Sequence, residues 1–172
     1  MADPDHPRRT AAGGSPSHFD ERGQARMVDV GAKGETERRA VASGRVRMAE
    51  ATREVLFRGA AAKGDVLAVA RVAGIQAAKR TGEIVPLCHP LPLTHVRVDF
   101  AETADGIAIE AEARTVGRTG VEMEALLAVA AAALTVYDML KAVDRAMEVD
   151  EVRLEFKSGG KSGVWRRTPG GP

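Results

Sequence analysis

An acid and a base stand one helical turn apart in the C-terminal half of the chain. Asp138 and Lys141 are three residues apart in the segment 121–143, whose apolar pattern predicts a helix. At this spacing a carboxylate and an ammonium group face the same side and can exchange protons with one ligand. The alternative is an exposed ion pair, which would stabilise the helix by only about 0.3 kcal/mol. The residue types leave both interpretations open.

A second acid lies on the same side of this predicted helix. At 100° per residue, Glu124 and Asp138 fall on one stripe, and the residues between them on that stripe are small. Another backbone or a flat ligand can approach such a surface closely. Fourteen helical residues span about 21 Å. The two carboxylates therefore hold opposite ends of a long ligand, or they belong to different sites that a second subunit completes.

A proline-rich segment, 85–93, carries the next candidates. Proline fixes φ and lacks an N–H group, so three prolines here predict a rigid loop that is neither a helix nor a central strand. Leu87, Cys88 and His89 would project from this loop at fixed angles, as a ligand-binding group requires. The alternative is a buried thiol beside a hydrogen-bonded structural histidine. The spacing of Cys and His matches no zinc pattern, so we expect no metal site.

Two lysines are candidates for contacts with phosphate. Lys63 precedes Asp65, which is placed to cap the start of a helix, and helix starts attract anions. Lys161 lies in the glycine-rich segment 157–163, which imitates the end of a P-loop. The P-loop match fails because Glu155 stands where the first glycine is required, and too few residues remain for the following helix. This excludes a P-loop NTPase; solvated lysines are the alternative to phosphate contacts.

The remaining pattern predicts one α+β domain that positions these groups. Residues 1–22 are rich in proline, glycine and charge, which predicts a disordered tail. Residues 167–172 predict a flexible tail, so the domain covers 23–166. Its predicted elements are a strand at 46–49, a helix at 52–57 capped by Thr52 and ended by Gly59, a helix from Asp65 to about 80, strands at 96–100 and 107–113 around a turn at 104–106, the helix at 121–143, and a strand at 149–156.

This order of elements predicts a four-stranded antiparallel sheet with helices packed on one face, the ferredoxin-like arrangement. Only 3% of the residues are aromatic, so the core must be built largely from Ala, Val, Leu and Met. Alanine-rich elements bury little area each, which is a first indication of an oligomer.

Charge and cysteine content exclude several classes of protein. There are 25 basic and 24 acidic residues, a balance that argues against a nucleic-acid-binding protein. The strands also lack the aromatics on which RNA bases stack. A single cysteine permits no intrachain disulfide, and no signal peptide is visible, so we expect a cytoplasmic protein. The longest apolar run, 125–134, is too short for a membrane span.

Six segments together resemble the cyclic pyranopterin monophosphate synthase family, also called molybdenum cofactor biosynthesis protein C. They occur in the family's order and cover nearly the whole predicted domain: MVDV with a following lysine (27–33), KGDV through AAKRT (63–81), PLCHPL (86–91), TGVEMEAL (119–126), ALTVYDM with KAV (133–143) and KSGGKSG (157–163). Two positions depart from the family, which often has an aromatic residue at Gly82 and a cysteine at Leu140.

The resemblance implies a ferredoxin-like homohexamer, a trimer of dimers with active sites at subunit interfaces. It implies a lyase that converts (8S)-3′,8-cyclo-7,8-dihydroguanosine 5′-triphosphate to cyclic pyranopterin monophosphate and diphosphate. This rearrangement transfers no net electrons, so we expect no cofactor. The site residues that follow are Asp138, Lys141 and Lys63 for catalysis, and Leu87, Cys88, His89, Met123 and Glu124 for substrate binding, to which we add Lys161.

Two other hypotheses remain open on the sequence alone. A ferredoxin-like scaffold can also carry a regulatory module that binds a nucleotide or phosphate without turnover. A purely structural oligomerisation domain could use the alanine stripe as its interface. The second hypothesis leaves the rigid loop around Cys88 and the pairing of Asp138 with Lys141 unexplained.

Overall fold

The computed structural model describes His18, Asp20 and residues 22–58 and 64–168. Lys63, Gly59 and most of both predicted tails lie outside the described residues. The elements in chain order are β1 (Thr36–Arg47), α1 (Glu50–Phe57), α2 (Val66–Lys79), α3 (Thr81–Ile84), β2 (His95–Thr103), β3 (Gly106–Gly117), α4 (Glu122–Leu140), β4 (Glu148–Ser158) and β5 (Trp165–Arg166).

The strands form one antiparallel sheet in the order β2-β3-β1-β4-β5. The prediction of an α+β domain with an antiparallel sheet is confirmed, but the prediction of four strands is wrong. The fifth strand consists only of Trp165 and Arg166, which pair with Lys157 and Phe156. Two residues are too few to show an alternating pattern, and so the sequence did not reveal this strand.

The central strand β1 is much longer than the predicted strand at 46–49. Its inward positions are Ala40, Ala42, Gly44 and Val46, of which the first two and the last are fully buried. Small residues here let α4 come close to the sheet: a Cβ atom on Gly44 would lie only 2.5 Å from Cγ1 of Val129. Residues 36–45 of the strand were missed because alanine and glycine carry little β signal.

The helices cover the face of the sheet to which these small residues point. Helix α4 contacts four of the strands, and α2 packs against α4 and β2. The two helices meet closely at Gly74, where a Cβ atom would lie 2.8 Å from the carbonyl oxygen of Ala128. Helix α4 is long and apolar enough to pass for a membrane span, but half of that stretch is buried inside the protein, as in core helices.

Three predicted helix ends can be compared with the structure. The Asp65 cap is confirmed, because its carboxylate accepts a hydrogen bond from the Ala68 amide at 2.9 Å. The prediction that Thr52 caps α1 is wrong: Ala49 holds that position, and the buried Thr52 hydroxyl donates to Asp144 at 3.2 Å. Helix α4 ends at Leu140, three residues earlier than predicted.

Candidate active site

A cavity of about 600 Å³ lies between the proline-rich loop and the start of α4. Four of the residues predicted to bind substrate line it together. They are Leu87, Cys88, His89 and Met123. The cavity is largely apolar, as small-molecule binding sites commonly are. Two further lining residues, His18 and Ala25, come from the N-terminal segment and were not anticipated.

Local structure explains how the loop presents these side chains. Residues 85–93 form neither a helix nor a strand, as the three prolines predicted. The amide of Cys88 donates to the carbonyl of Val85 at 3.0 Å and closes a turn. Helix α3 supports this turn closely, since a Cβ atom on Gly82 would lie 3.1 Å from Cα of Pro90. A larger residue at position 82 would force the loop to shift.

On the side of the proline-rich loop away from the cavity, the Cys88 thiol donates a hydrogen bond to the Glu124 carboxylate, with 3.7 Å between Sγ and Oε1. Burial first, and then the nearby Glu124 carboxylate, raises the pKa of the thiol to about 11. Cys88 is therefore protonated near neutral pH and unsuited to act as a nucleophile. Glu124 is only 2% exposed, and burial raises the pKa of its carboxyl group as well.

A second cavity, of about 580 Å³, adjoins the first and is strongly basic. The two cavities share Thr119, Gly120 and Glu122. The predicted Lys161 lines the second cavity together with Lys157, the other lysine of the glycine-rich segment. Three further cationic residues line it for which the sequence indicated no role: Lys33, Arg38 and Arg118. Five cationic side chains around one cavity suit a ligand with several negative charges.

Backbone pairing brings these cationic residues together from distant parts of the chain. The start of β1 pairs with the end of β3, so that Thr36 stands opposite Gly117 and places Arg38 near Arg118. The Arg38 guanidinium donates to the carbonyl of Gly117 at 3.2 Å, which fixes its direction. The Lys157 ammonium lies 3.8 Å from the carboxylate of Glu122. Glu122 is the acidic residue that lines this cavity, so positive charge dominates there.

Asp138 and Lys141 form the ion pair that their spacing predicts. The ammonium nitrogen of Lys141 lies 2.7 Å from Oδ1 of Asp138; the Lys141 side chain is 52% exposed and the Asp138 side chain 60%. The paired carboxylate raises the pKa of Lys141. The pair lies at the C-terminal end of α4, whereas Glu122 begins the helix at the two cavities. Sixteen helical residues separate Asp138 from Glu122, a distance of about 24 Å.

The structure therefore brings together the loop residues, Met123 and, through the adjoining cavity, Lys161. It does not bring Asp138 and Lys141 to the cavities of their own chain. Lys63 lies outside the described residues. Within the described ranges, no three His, Cys, Asp or Glu side chains cluster as ligands for a metal ion.

Comparison with known proteins matches residues 27–160 to the MoaC family. The chain is similar to a cyclic pyranopterin monophosphate synthase from Thermomicrobium roseum, with 65% identity over 88% of this chain and 92% of the relative. It is similar to a protein of the same name from Novosphingobium aromaticivorans, at 57% identity over 87% of this chain and 96% of the relative. A third relative, cyclic pyranopterin monophosphate synthase 3 from Mycobacterium tuberculosis, is 60% identical over 88% of this chain and 86% of the relative.

Proposed function

The chain belongs to the MoaC family and is a lyase of molybdenum cofactor biosynthesis, and from this premise we propose how its cavities bind and convert the substrate. The substrate is (8S)-3′,8-cyclo-7,8-dihydroguanosine 5′-triphosphate, and the products are cyclic pyranopterin monophosphate and diphosphate. The observation that carries the proposal is the junction of an apolar cavity with a basic one. A nucleoside triphosphate likewise joins a flat ring to a chain of negative charges.

In this arrangement the ring system occupies the apolar cavity. His89 and Glu124 hold the base and sugar, together with Leu87, Cys88 and Met123; Glu124 lies next to the cavity, behind Cys88. The triphosphate extends past Thr119 and Gly120 into the basic cavity. The lysine and arginine side chains there balance its charge, and Lys161 contacts the terminal phosphates.

The chemistry calls for proton transfers and for stabilisation of a leaving group. A carbon–nitrogen bond of the dihydropurine breaks and the pyranopterin ring forms. A hydroxyl oxygen then bonds to the α-phosphorus, its proton passes to a base, and diphosphate departs with the electron pair of the broken P–O bond. Asp138 and Lys141 share the proton transfers because they lie one turn apart. Lys63 and Lys161 neutralise the charge that grows on the departing diphosphate.

Distance supports a site shared between two chains. Asp138 lies about 24 Å along α4 from the cavities of its own chain, too far to reach a substrate bound there. In a symmetric oligomer the Asp138 of a second chain reaches that substrate instead. We assign the assembly as a hexamer, a trimer of dimers, acting in the cytoplasm. Light scattering tests this, since a stable and active particle of 18.2 kDa would contradict it.

The strand order supports a ferredoxin-like assignment of the domain. Strands β1 to β4 lie in the order β2-β3-β1-β4, all antiparallel, with helices in the connections from β1 to β2 and from β3 to β4. This is the split βαβ arrangement, extended here by β5 at one edge. It places the start of α4 and the proline-rich loop beside each other.

A product assay tests the proposed reaction. Purified protein is incubated with the cyclised nucleotide, and both products are measured by liquid chromatography. We expect cyclic pyranopterin monophosphate and diphosphate in equal amounts, and no product from GTP, which lacks the 3′,8-bond. Tight binding of the cyclised nucleotide without turnover would instead indicate a regulatory binding module and overturn the proposal.

A further inference from the structure

His18 lines the apolar cavity, but the binding arrangement proposed for the substrate gives it no role. We propose that His18 is a further substrate-binding residue, whose imidazole contacts the heterocyclic ring of the nucleotide, and that Asp20 is a positioning residue that holds His18 at the cavity. The inference rests on the proposed function of the apolar cavity, and it makes the N-terminal segment a part of the site.

The lining of the apolar cavity contains two imidazoles, His18 from the N-terminal segment and His89 from the proline-rich loop. His18 is exposed and therefore accessible to a bound ligand. An imidazole can donate or accept a hydrogen bond at the polar edge of a heterocycle, and its flat ring can pack against that of the ligand. The substrate's ring system, which derives from guanine, offers both kinds of contact.

The turn that holds His18 is built around the carboxylate of Asp20. Its Oδ1 atom accepts hydrogen bonds from the amides of Arg22, at 2.9 Å, and Gln24, at 2.8 Å. The Asp20 amide donates in return to the carbonyl of Gln24 at 2.9 Å, and the amide of Arg26 donates to the carbonyl of His18 at 2.8 Å. Aspartate and asparagine close turns in this way because their side-chain oxygen reaches backbone amides a few residues on. The backbone at His18 is therefore held in place.

The N-terminal segment continues from the apolar cavity to the basic one. Lys33 lines the basic cavity, and the guanidinium of Arg118 donates to the carbonyl of Gly31 at 3.1 Å. The Asp29 carboxylate accepts a hydrogen bond from the Gly31 amide at 2.7 Å and closes a second turn. One stretch of chain thus carries His18 at the cavity proposed for the ring and Lys33 at the cavity proposed for the triphosphate.

Kinetics with the cyclised nucleotide provide the first measurement. His18→Ala is expected to raise KM about tenfold with little change in kcat, since it removes a contact that the bound substrate and the transition state share. The matched control His95→Ala alters an exposed histidine beside a different cavity and should keep the parental KM. Asp20→Ala should also raise KM, and Asp20→Asn should restore it because an amide oxygen accepts the same two hydrogen bonds. A parental KM in His18→Ala would overturn the binding role, and equal defects in Asp20→Ala and Asp20→Asn would overturn the positioning role.

Chemical protection provides a second measurement that does not depend on turnover. The chain has four histidines, His6, His18, His89 and His95. Diethyl pyrocarbonate modifies accessible imidazoles, and mass spectrometry of the peptides gives the rate at each histidine. The probe is cyclic pyranopterin monophosphate, which carries the ring without the triphosphate. At ten times its dissociation constant it should slow modification of His18 and His89 about tenfold, because about a tenth of the sites stay open. His95 is the internal control and should keep its rate.

The outcomes of the protection experiment separate failure of this inference from failure of the proposed function. Slower modification of His89 with an unchanged rate at His18 would overturn only the role of His18. Unchanged rates at both histidines would overturn the proposed binding of the ring in the apolar cavity as well. Diphosphate is the second probe, because it fits the basic cavity alone, and it should leave the rate at His18 unchanged. Protection of His18 by diphosphate would overturn the contact with the ring, since the segment would then respond to charge in the basic cavity.

Discussion

The carboxylate of Glu112 lies on the face of the sheet that the helices leave uncovered, and its titration should govern acid stability. Its side chain is 3% exposed, and it accepts hydrogen bonds from Arg39, at 2.6 Å, and from Arg114. These guanidinium groups, Arg39 first, lower the pKa of Glu112 from 4.5 to about 2. At 1.36 kcal/mol per pKa unit this fall corresponds to about 3 kcal/mol. Since the side chains of Arg39 and Arg114 are 40% and 52% exposed, we expect screening to reduce the contribution to about 2 kcal/mol.

The direction of the pH effect follows from the lowered pKa. The folded state holds the ionised form of Glu112, so its stabilisation is complete above about pH 4.5 and is lost as the pH falls toward about 2. The perturbation is Glu112→Gln, and the assay is urea unfolding at fixed protein concentration between pH 7 and pH 2. The variant should be about 2 kcal/mol less stable at pH 7, and the difference should shrink below pH 4.5. The control Glu110→Gln alters a carboxylate that is 52% exposed, and its unfolding free energy should stay close to that of the parent protein. If the unfolding free energies of Glu112→Gln and the parent protein differ by the same amount at every pH from 7 to 2, the reasoning is refuted.

Two further predictions concern the proposed proton carrier and the central packing contact. Asp138→Asn keeps the side-chain shape but cannot carry a proton, so it should lower kcat at least about 100-fold in the product assay, whereas the surface variant Asp99→Asn should not. Near-normal turnover of Asp138→Asn would remove it from the mechanism. Gly44→Ala places a Cβ atom 2.5 Å from Val129 and should cost about 1–3 kcal/mol in urea unfolding. The double variant Gly44→Ala/Val129→Ala should recover part of the lost unfolding free energy, because the smaller side chain removes the clash. If Val129→Ala leaves the effect of Gly44→Ala unchanged, the packing argument is contradicted.

The fold was predictable wherever side chains alternate clearly. Val96, Val98 and Phe100 mark β2, and the glycine at position 106 marks the turn into β3. Residues 36–45 of β1 escaped prediction because the buried inward residues there are Ala40, Ala42 and Gly44. Their small size matters only once α4 packs on them, and this is a tertiary requirement that a local pattern does not carry.

The candidate site likewise has features that the local sequence pattern predicts and features that only the tertiary structure brings together. The sequence predicted that Leu87, Cys88 and His89 project from one rigid loop, because proline constrains the backbone locally, and their role in substrate binding stays a prediction. The basic cavity was not predicted, since strand pairing gathers its charges from residues as distant as Arg38 and Lys157. The contact between Glu124 and Cys88 was missed for the same reason: each residue was noted, but nothing in their spacing shows that one lies behind the other.

The most direct test of the shared site is a mixture of two inactive variants. Asp138→Asn removes the proposed proton carrier, and Lys157→Ala alters the basic cavity in which we propose that the triphosphate binds. If the site combines Asp138 of one chain with the cavities of its partner, random mixing restores one intact site in each mixed dimer, or about a quarter of parental activity. We predict this recovery after the variants are dissociated and reassembled together. A mixture that stays as inactive as its components, although mixed assemblies form, would contradict the shared site.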